Sequence, residues 1–172
     1  METEKDIPII SIVGKSSSGK TLFIEKLIPR LKEMGWSVGT IKHDVHGFDI
    51  DHPGKDTWRH KQAGAELVLI SSPWKLALIK DVEEERELDQ LREEYISGID
   101  LALTEGYKSG DKPKLEIFRP EMHEEQLCTG EGDNLLTTVI NEECPDCEDG
   151  EIFSREKVTE VAELIVEEFL TE

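Results

Sequence analysis

The residues Gly14-Lys15-Ser16-Ser17-Ser18-Gly19-Lys20-Thr21 hold two glycines, a lysine and a hydroxyl at the spacing that captures phosphate. Glycines let the backbone curl so that successive N–H groups aim at one anion. A helix starting at the lysine adds the favourable field of its N-terminus. Lys20 then reaches the β- and γ-phosphates of a nucleotide, and Thr21 offers its hydroxyl to Mg²⁺. Leu22 follows the motif and lies within reach of the same ligand. A tight strand-to-helix turn without a ligand is the plainer reading of two glycines, and the Lys20-Thr21 pair argues against it. Lys15 stands where some dimeric P-loop ATPases carry a lysine that reaches the partner's nucleotide; an exposed loop lysine explains it as well.

Other groups fall where a parallel sheet would bring them to the same crevice. In Asp100-Leu-Ala-Leu-Thr-Glu105-Gly106 the run between the two acids reads as a buried strand. Ligands sit beyond the carboxyl ends of such strands, so Glu105 is the candidate for the Mg²⁺ shell and Asp100 a strand-start residue. Gly106 would let the backbone approach a γ-phosphate. Lys42-His43-Asp44-Val45-His46-Gly47 leaves another strand at its carboxyl end. Asp44 could order a water for attack on phosphate, which makes Lys20, Asp44 and Glu105 the catalytic candidates, with His43 and His46 as ligand-contacting or metal-binding imidazoles. A polar surface loop is the competing account of this segment. Cys144 and Cys147 have knuckle spacing; with Cys128 and His123 they would make a Cys₃His zinc set, against a default of inert reduced thiols.

These residues need a scaffold, and the apolar pattern supplies one. Ile7–Val13 is a short β-branched run ending at Gly14, as expected of a strand buried on both faces. A helix is predicted from about Lys20 to Met34, with Leu22, Phe23, Leu27 and Leu31 at helical spacing, Gly35 closing it and Pro29 kinking it. Further strands are predicted at 37–42, 66–71, 74–80, 99–104, 114–118 and 135–140. Further helices are expected at 56–63, capped by Asp56, at 83–96, and from Ser154 to the end. Alternating strands and helices imply an α/β fold of the P-loop NTPase type, a mostly parallel doubly wound sheet with a small extra hairpin or subdomain. The 172 residues suit a single nucleotide-binding domain, 1–172.

Composition narrows the function classes. The net charge of −19, from 39 acidic and 20 basic residues, argues against a nucleic-acid binder and against docking on anionic membranes. No apolar stretch reaches membrane-spanning length, there is no secretory leader, and an odd cysteine count makes no secreted disulfide framework. A cytoplasmic location is expected.

Taken together, the P-loop, Thr40-Ile-Lys-His-Asp-Val-His46, Pro53-Gly-Lys-Asp56 with Arg59-His60 and Ala63-Gly-Ala65, Leu101-Ala-Leu-Thr-Glu-Gly-Tyr-Lys108 and Pro113-Lys-Leu-Glu116 resemble the MobB family, adaptor proteins of molybdopterin-guanine dinucleotide biosynthesis. The likeness covers about residues 7–141. It implies a GTP-binding, weakly hydrolytic, Mg²⁺-dependent homodimer acting beside a MobA-like nucleotidyltransferase that joins GMP to molybdopterin. It carries the phosphate-binding role to Gly14 through Thr21 and the metal-side acid to Glu105. Residues 43–56 and 107–119 are the candidate β extensions for dimerisation, and Asn141, with Glu142 and Glu143, is the candidate base reader. The Cys144–Cys147 stretch and Lys15 lie outside the family pattern. A small-molecule kinase, or an ATP-binding protein of another pathway, is the alternative, although the acidic stretch 81–94 offers only Arg86 and Arg92 for a kinase lid.

Overall fold

The computed structural model describes residues 6–130, 132–142 and 152–171. Strand β1, Ile9–Val13, is buried at every position. It delivers the chain into the glycine-rich turn and then into helix α1, Lys20–Glu33. Strand β2, Val38–Lys42, follows. The chain continues through α2, Asp56–Gln62, β3, Leu67–Ser71, β4, Leu76–Lys80, and α3, Leu88–Tyr95. It ends with β5, Leu101–Glu105, β6, Lys114–Phe118, β7, Leu135–Ile140, and α4, Arg155–Phe169.

Five strands form one sheet in the order β2-β5-β1-β6-β7, and every pairing in it is parallel. β1 and β2 are not neighbours, because β5 lies between them and pairs with both. Ser37 and Asp100 fix the entry to β2 and β5. The Asp100 carboxylate accepts from the Ser37 N–H at 2.8 Å and from its hydroxyl at 2.6 Å, and the Asp100 N–H donates to the Ser37 hydroxyl at 3.0 Å. Asp100 is therefore the strand-start residue that its position suggested.

The core joins the sheet to α1 and α4. Ile10, Ile12, Leu101, Leu103, Leu115 and Ile117 meet Phe23, Leu27 and Leu31 of α1 and Val158, Val161 and Ile165 of α4. Phe23 and Phe153 meet edge to face with centroids 5.1 Å apart, a favoured aromatic geometry. Ser154 caps α4 by accepting from the Lys157 N–H at 3.1 Å, as expected of serine at that position. Pro29 does not interrupt α1, which runs on to Glu33. Burial of Phe23, Ile24, Leu27 and Leu31 on one face outweighs one missing N–H. α1 closes at Met34 and Gly35, with Gly35 at φ 95°. α2 is capped by Lys55, and Asp56 stands in its first turn rather than at the cap. The acidic helix begins only at Leu88.

The chain divides into two compact units, Met1–His43 with Arg92–Glu172, and Asp44–Leu91. A small extra hairpin or subdomain beside the parallel sheet was expected. The smaller unit holds the antiparallel hairpin β3–β4, in register from Leu67↔Lys80 to Ser71↔Leu76. A salt bridge from Lys61 to Asp81 braces it, and the Asp51 carboxylate accepts from the Thr57 hydroxyl. Leu67, Leu69, Ile70, Leu76 and Leu78 of the hairpin are exposed, as is Trp74 in its turn.

The two segments named as candidate extensions differ in this chain. Residues 43–56 contain no strand. Residues 107–119 contribute β6, whose two edges are both taken, by β1 and β7. Its burial explains why: Lys114 to Ile117 are all buried, as an inner strand requires.

Candidate functional site

The turn after β1 is built for close backbone approach. Gly14 has φ 147° and Gly19, which caps α1, has φ 99°; Ser17 adopts φ 61° between them. A Cβ at Gly14 would strike the Ile117 carbonyl and the Ser18 hydroxyl, and one at Gly19 would strike the Asn141 amide. Both glycines are thus dictated by conformation and by space. Ser18 is fully buried, and its hydroxyl has no partner among the described residues.

Lys20 opens α1 and folds back over the loop, donating to the carbonyls of Lys15 at 3.0 Å and Gly14 at 3.2 Å. The loop of residues 14–20 therefore closes on an ammonium group. Burial lowers the pKa of Lys20 from its ordinary 10.5; Glu105 opposes this, and Lys108 and Lys42 add to it. A lysine that is both desolvated and crowded by other cations is primed for an anion. Lys42 ends β2 and Lys108 lies three residues beyond the end of β5.

Thr21 donates its hydroxyl to both oxygens of Glu105, at 3.0 and 3.3 Å. The register explains the meeting. Glu105 ends β5 opposite Ile12 of β1 on one side and Lys42 of β2 on the other, so it emerges beside the loop that β1 feeds. A hydroxyl and a carboxylate converging beside a phosphate loop are the hard oxygen donors that Mg²⁺ takes. The pair fits that ion.

Gly106 has φ 103° and packs closely on the end of β2. A Cβ there would lie 2.7 Å from the His43 carbonyl. His43 in turn donates its N–H to the Glu105 carbonyl at 2.8 Å and stacks its ring on Tyr107 at 4.7 Å. His43 and Gly106 thus lock the ends of β2 and β5 together and fix where Glu105 points. Asp44 and His46 belong to the smaller unit, where the Asp44 carboxylate accepts from the His46 N–H at 3.1 Å.

Asn141, the residue after β7, is buried and donates its side-chain amide to the Ser18 carbonyl at 2.5 Å. It shapes the loop directly. Glu142 is exposed, and Glu143 lies outside the described residues.

An open cavity of about 360 Å³ covers the site, lined by Ser16, Ser17, Gly19 to Leu22, Glu105, Arg119, Asn141 and Ile152. Arg119 and Ile152 were missed by the sequence reading. Arg119 carries the same signal as Glu105: it stands at the carboxyl end of a strand beside β1, and strand-end reasoning applied to β6 would have found it.

The zinc set is not supported. No cluster of three or more His, Cys, Asp or Glu able to hold a metal occurs among the described residues. His123 is engaged with the Ser16 carbonyl, its Nε2 lying 2.9 Å away. Cys128 is buried beside Glu116, and burial with that carboxylate pushes its thiol up to about 11. A protonated thiol is a poor zinc ligand. Cys144 and Cys147 lie outside the described residues. No helix among the described residues is long and apolar enough to cross a membrane.

A parallel sheet feeding a glycine loop closed by lysine, with a Thr–Glu pair at the next strand end, defines a P-loop NTPase fold. Residues 9–141 match the family model for MobB, molybdopterin guanine dinucleotide synthesis protein B. Two relatives named molybdopterin-guanine dinucleotide biosynthesis adapter protein are each 38% identical: one from Haemophilus influenzae over 67% of this chain and one from Escherichia coli over 66% of it. The match spans 66% of the length of each relative, just under two thirds. The crystal structure of Bacillus subtilis MobB superposes with a TM-score of 0.71 at 27% identity, covering 96% of this chain and all of that one. The chain belongs to the MobB family.

Proposed function

We propose that this protein is a GTP-binding adaptor in molybdopterin-guanine dinucleotide biosynthesis, working beside a MobA-like nucleotidyltransferase that transfers GMP to molybdopterin. The observation that carries the reading is the Lys20-closed loop with Thr21 and Glu105 meeting beside it, in a chain of this family. Loop amides and Lys20 would bind the phosphates, and Asn141 would keep the loop in shape. Thr21 and Glu105 would hold Mg²⁺, whose charge would offset that of the phosphates when bound. Positioning and charge compensation are then the protein's contribution, and hydrolysis is slow. Homodimerisation and docking of the transferase belong to the same proposal. The exposed apolar residues of the β3–β4 hairpin support a protein interface.

Calorimetric titration with GTP and ATP in the presence of Mg²⁺ tests this reading. GTP should bind more tightly than ATP, and Lys20→Ala should remove most of the affinity, by about a hundredfold for a lost charge-assisted contact. Equal affinity for both nucleotides would end the guanine assignment. Unchanged binding in the variant would end the loop assignment.

A further inference from the structure

We propose that Arg119 places its guanidinium on the polyphosphate of the bound nucleotide, as a second cation supplied in cis alongside Lys20. The inference rests on the nucleotide-binding reading above and adds to it a residue outside the phosphate-loop motif.

Placement comes first. Arg119 directly follows β6, the strand next to β1 on the side away from β5. It lines the same cavity as Ser16, Lys20, Thr21 and Glu105. Its side chain is 33% exposed, so the cation is accessible without being loose in solvent.

The segment that carries it is pinned at several points. The Asn141 N–H donates to the Phe118 carbonyl at 2.7 Å just before it. Met122 and His123 donate their N–H groups to the Arg119 carbonyl at 3.1 and 3.0 Å, closing a tight turn. His123 then reaches the Ser16 carbonyl at 2.9 Å, which docks the turn on the phosphate loop itself. Further on, the buried Glu116 carboxylate accepts from the Leu127 and Cys128 N–H groups at 2.5 and 2.9 Å. The backbone that carries the arginine is thus fixed beside the loop, so binding need not order the turn itself.

The chemistry selects an oxyanion. The guanidinium already pairs with one, the Glu121 carboxylate at 3.2 Å. That pair is an exposed contact between close sequence neighbours and is worth little. A polyphosphate carries more charge than a carboxylate and suits the planar fork of arginine. In a chain of net charge −19, a cation lining the phosphate cavity stands against the general field. Glu121 then acts as the internal competitor that the phosphate displaces.

The test uses the full chain with Mg²⁺, titrated with GTP and, in competition against GTP, with inorganic tripolyphosphate, which has neither base nor sugar. Arg119→Ala should weaken both by a similar factor, about tenfold or more, with Arg119→Lys recovering part of it. Loss for GTP with tripolyphosphate unchanged would move Arg119 to the base or ribose and overturn the proposal. Unchanged affinity for both would overturn it too. Glu121→Gln, which frees the guanidinium, should tighten both ligands. Should Arg119→Ala fail to fold, Arg119→Gln, which keeps a long hydrogen-bonding side chain without the charge, takes its place, and unchanged affinity for both ligands in that chain overturns the proposal. A parent chain that binds no GTP at all sinks the broader nucleotide reading, a result distinct from failure of the arginine variants alone.

Discussion

Thr21 and Glu105 are 84 positions apart in the chain, yet the hydroxyl of one donates to the carboxylate of the other at 3.0 Å. The contact exists because β5 lies beside β1, so the end of one strand meets the helix start that follows the other. His43 and Gly106 hold that strand end in place, through the His43 N–H on the Glu105 carbonyl and the close packing that only a glycine permits. Backbone register thus sets where the Glu105 carboxylate stands relative to Thr21.

Glu105→Gln tests that arrangement. The amide keeps the shape and still accepts from Thr21, so the fold should be intact, but the charge is gone. The gain in GTP affinity that Mg²⁺ confers should shrink by about tenfold, as expected when a divalent ion loses an anionic oxygen. Affinity measured with and without Mg²⁺ separates this from a general loss of binding. An undiminished Mg²⁺ effect would remove Glu105 from the metal side.

Lys20 makes affinity depend on pH in a stated direction. Its pKa is lowered from 10.5, first by burial and then by the nearby Lys108 and Lys42, with Glu105 opposing. The phosphate-binding form is the protonated one, present below the lowered pKa and lost as pH rises through it. GTP affinity should therefore begin to fall at a pH below that of an ordinary lysine. The measurement compares the parent chain with Lys20→Ala from neutral pH to about pH 10, so that titration of the nucleotide cancels in the difference. A difference that stays constant across the range would contradict the desolvated lysine.

How much of this was legible in the sequence depends on the distance over which each feature is encoded. The loop 14–21, the β1–α1 pair and the Ser154 cap are local patterns, and all three stand where the residues suggested. Glu105 was found because a strand end is a local signal with a known spatial consequence. Arg119 obeys the same rule one residue past β6, a strand whose bounds the residues also suggested, but the rule was applied to β5 and not to β6. Asn141 stands after β7 as its position suggested, but its contact with the Ser18 carbonyl spans 123 positions, and nothing near it in the chain announces that partner. The small extra hairpin was legible as two short apolar runs separated by Ser72-Pro73, whereas the exposure of its apolar side chains was not.

Cys128 offers the clearest test of the packing behind the Arg119 segment. Its thiol is raised from 9.0 to about 11, by burial first and by the Glu116 and Asp133 carboxylates next. The thiolate is the reactive species, so a rise of this size lowers its population near neutral pH by about a hundredfold. With Cys144 and Cys147 changed to serine, Cys128 is the one remaining cysteine of the three. It should then react with an alkylating reagent about a hundredfold more slowly in the folded chain than in urea. Glu116 holds the adjoining backbone at Leu127 and Cys128, so Glu116→Gln should raise the folded-state rate by removing the carboxylate beside the sulfur. Rapid labelling of the folded parent would mean that the segment after β6 is not held as Glu116 holds it here, and the fixed mounting of Arg119 would go with it.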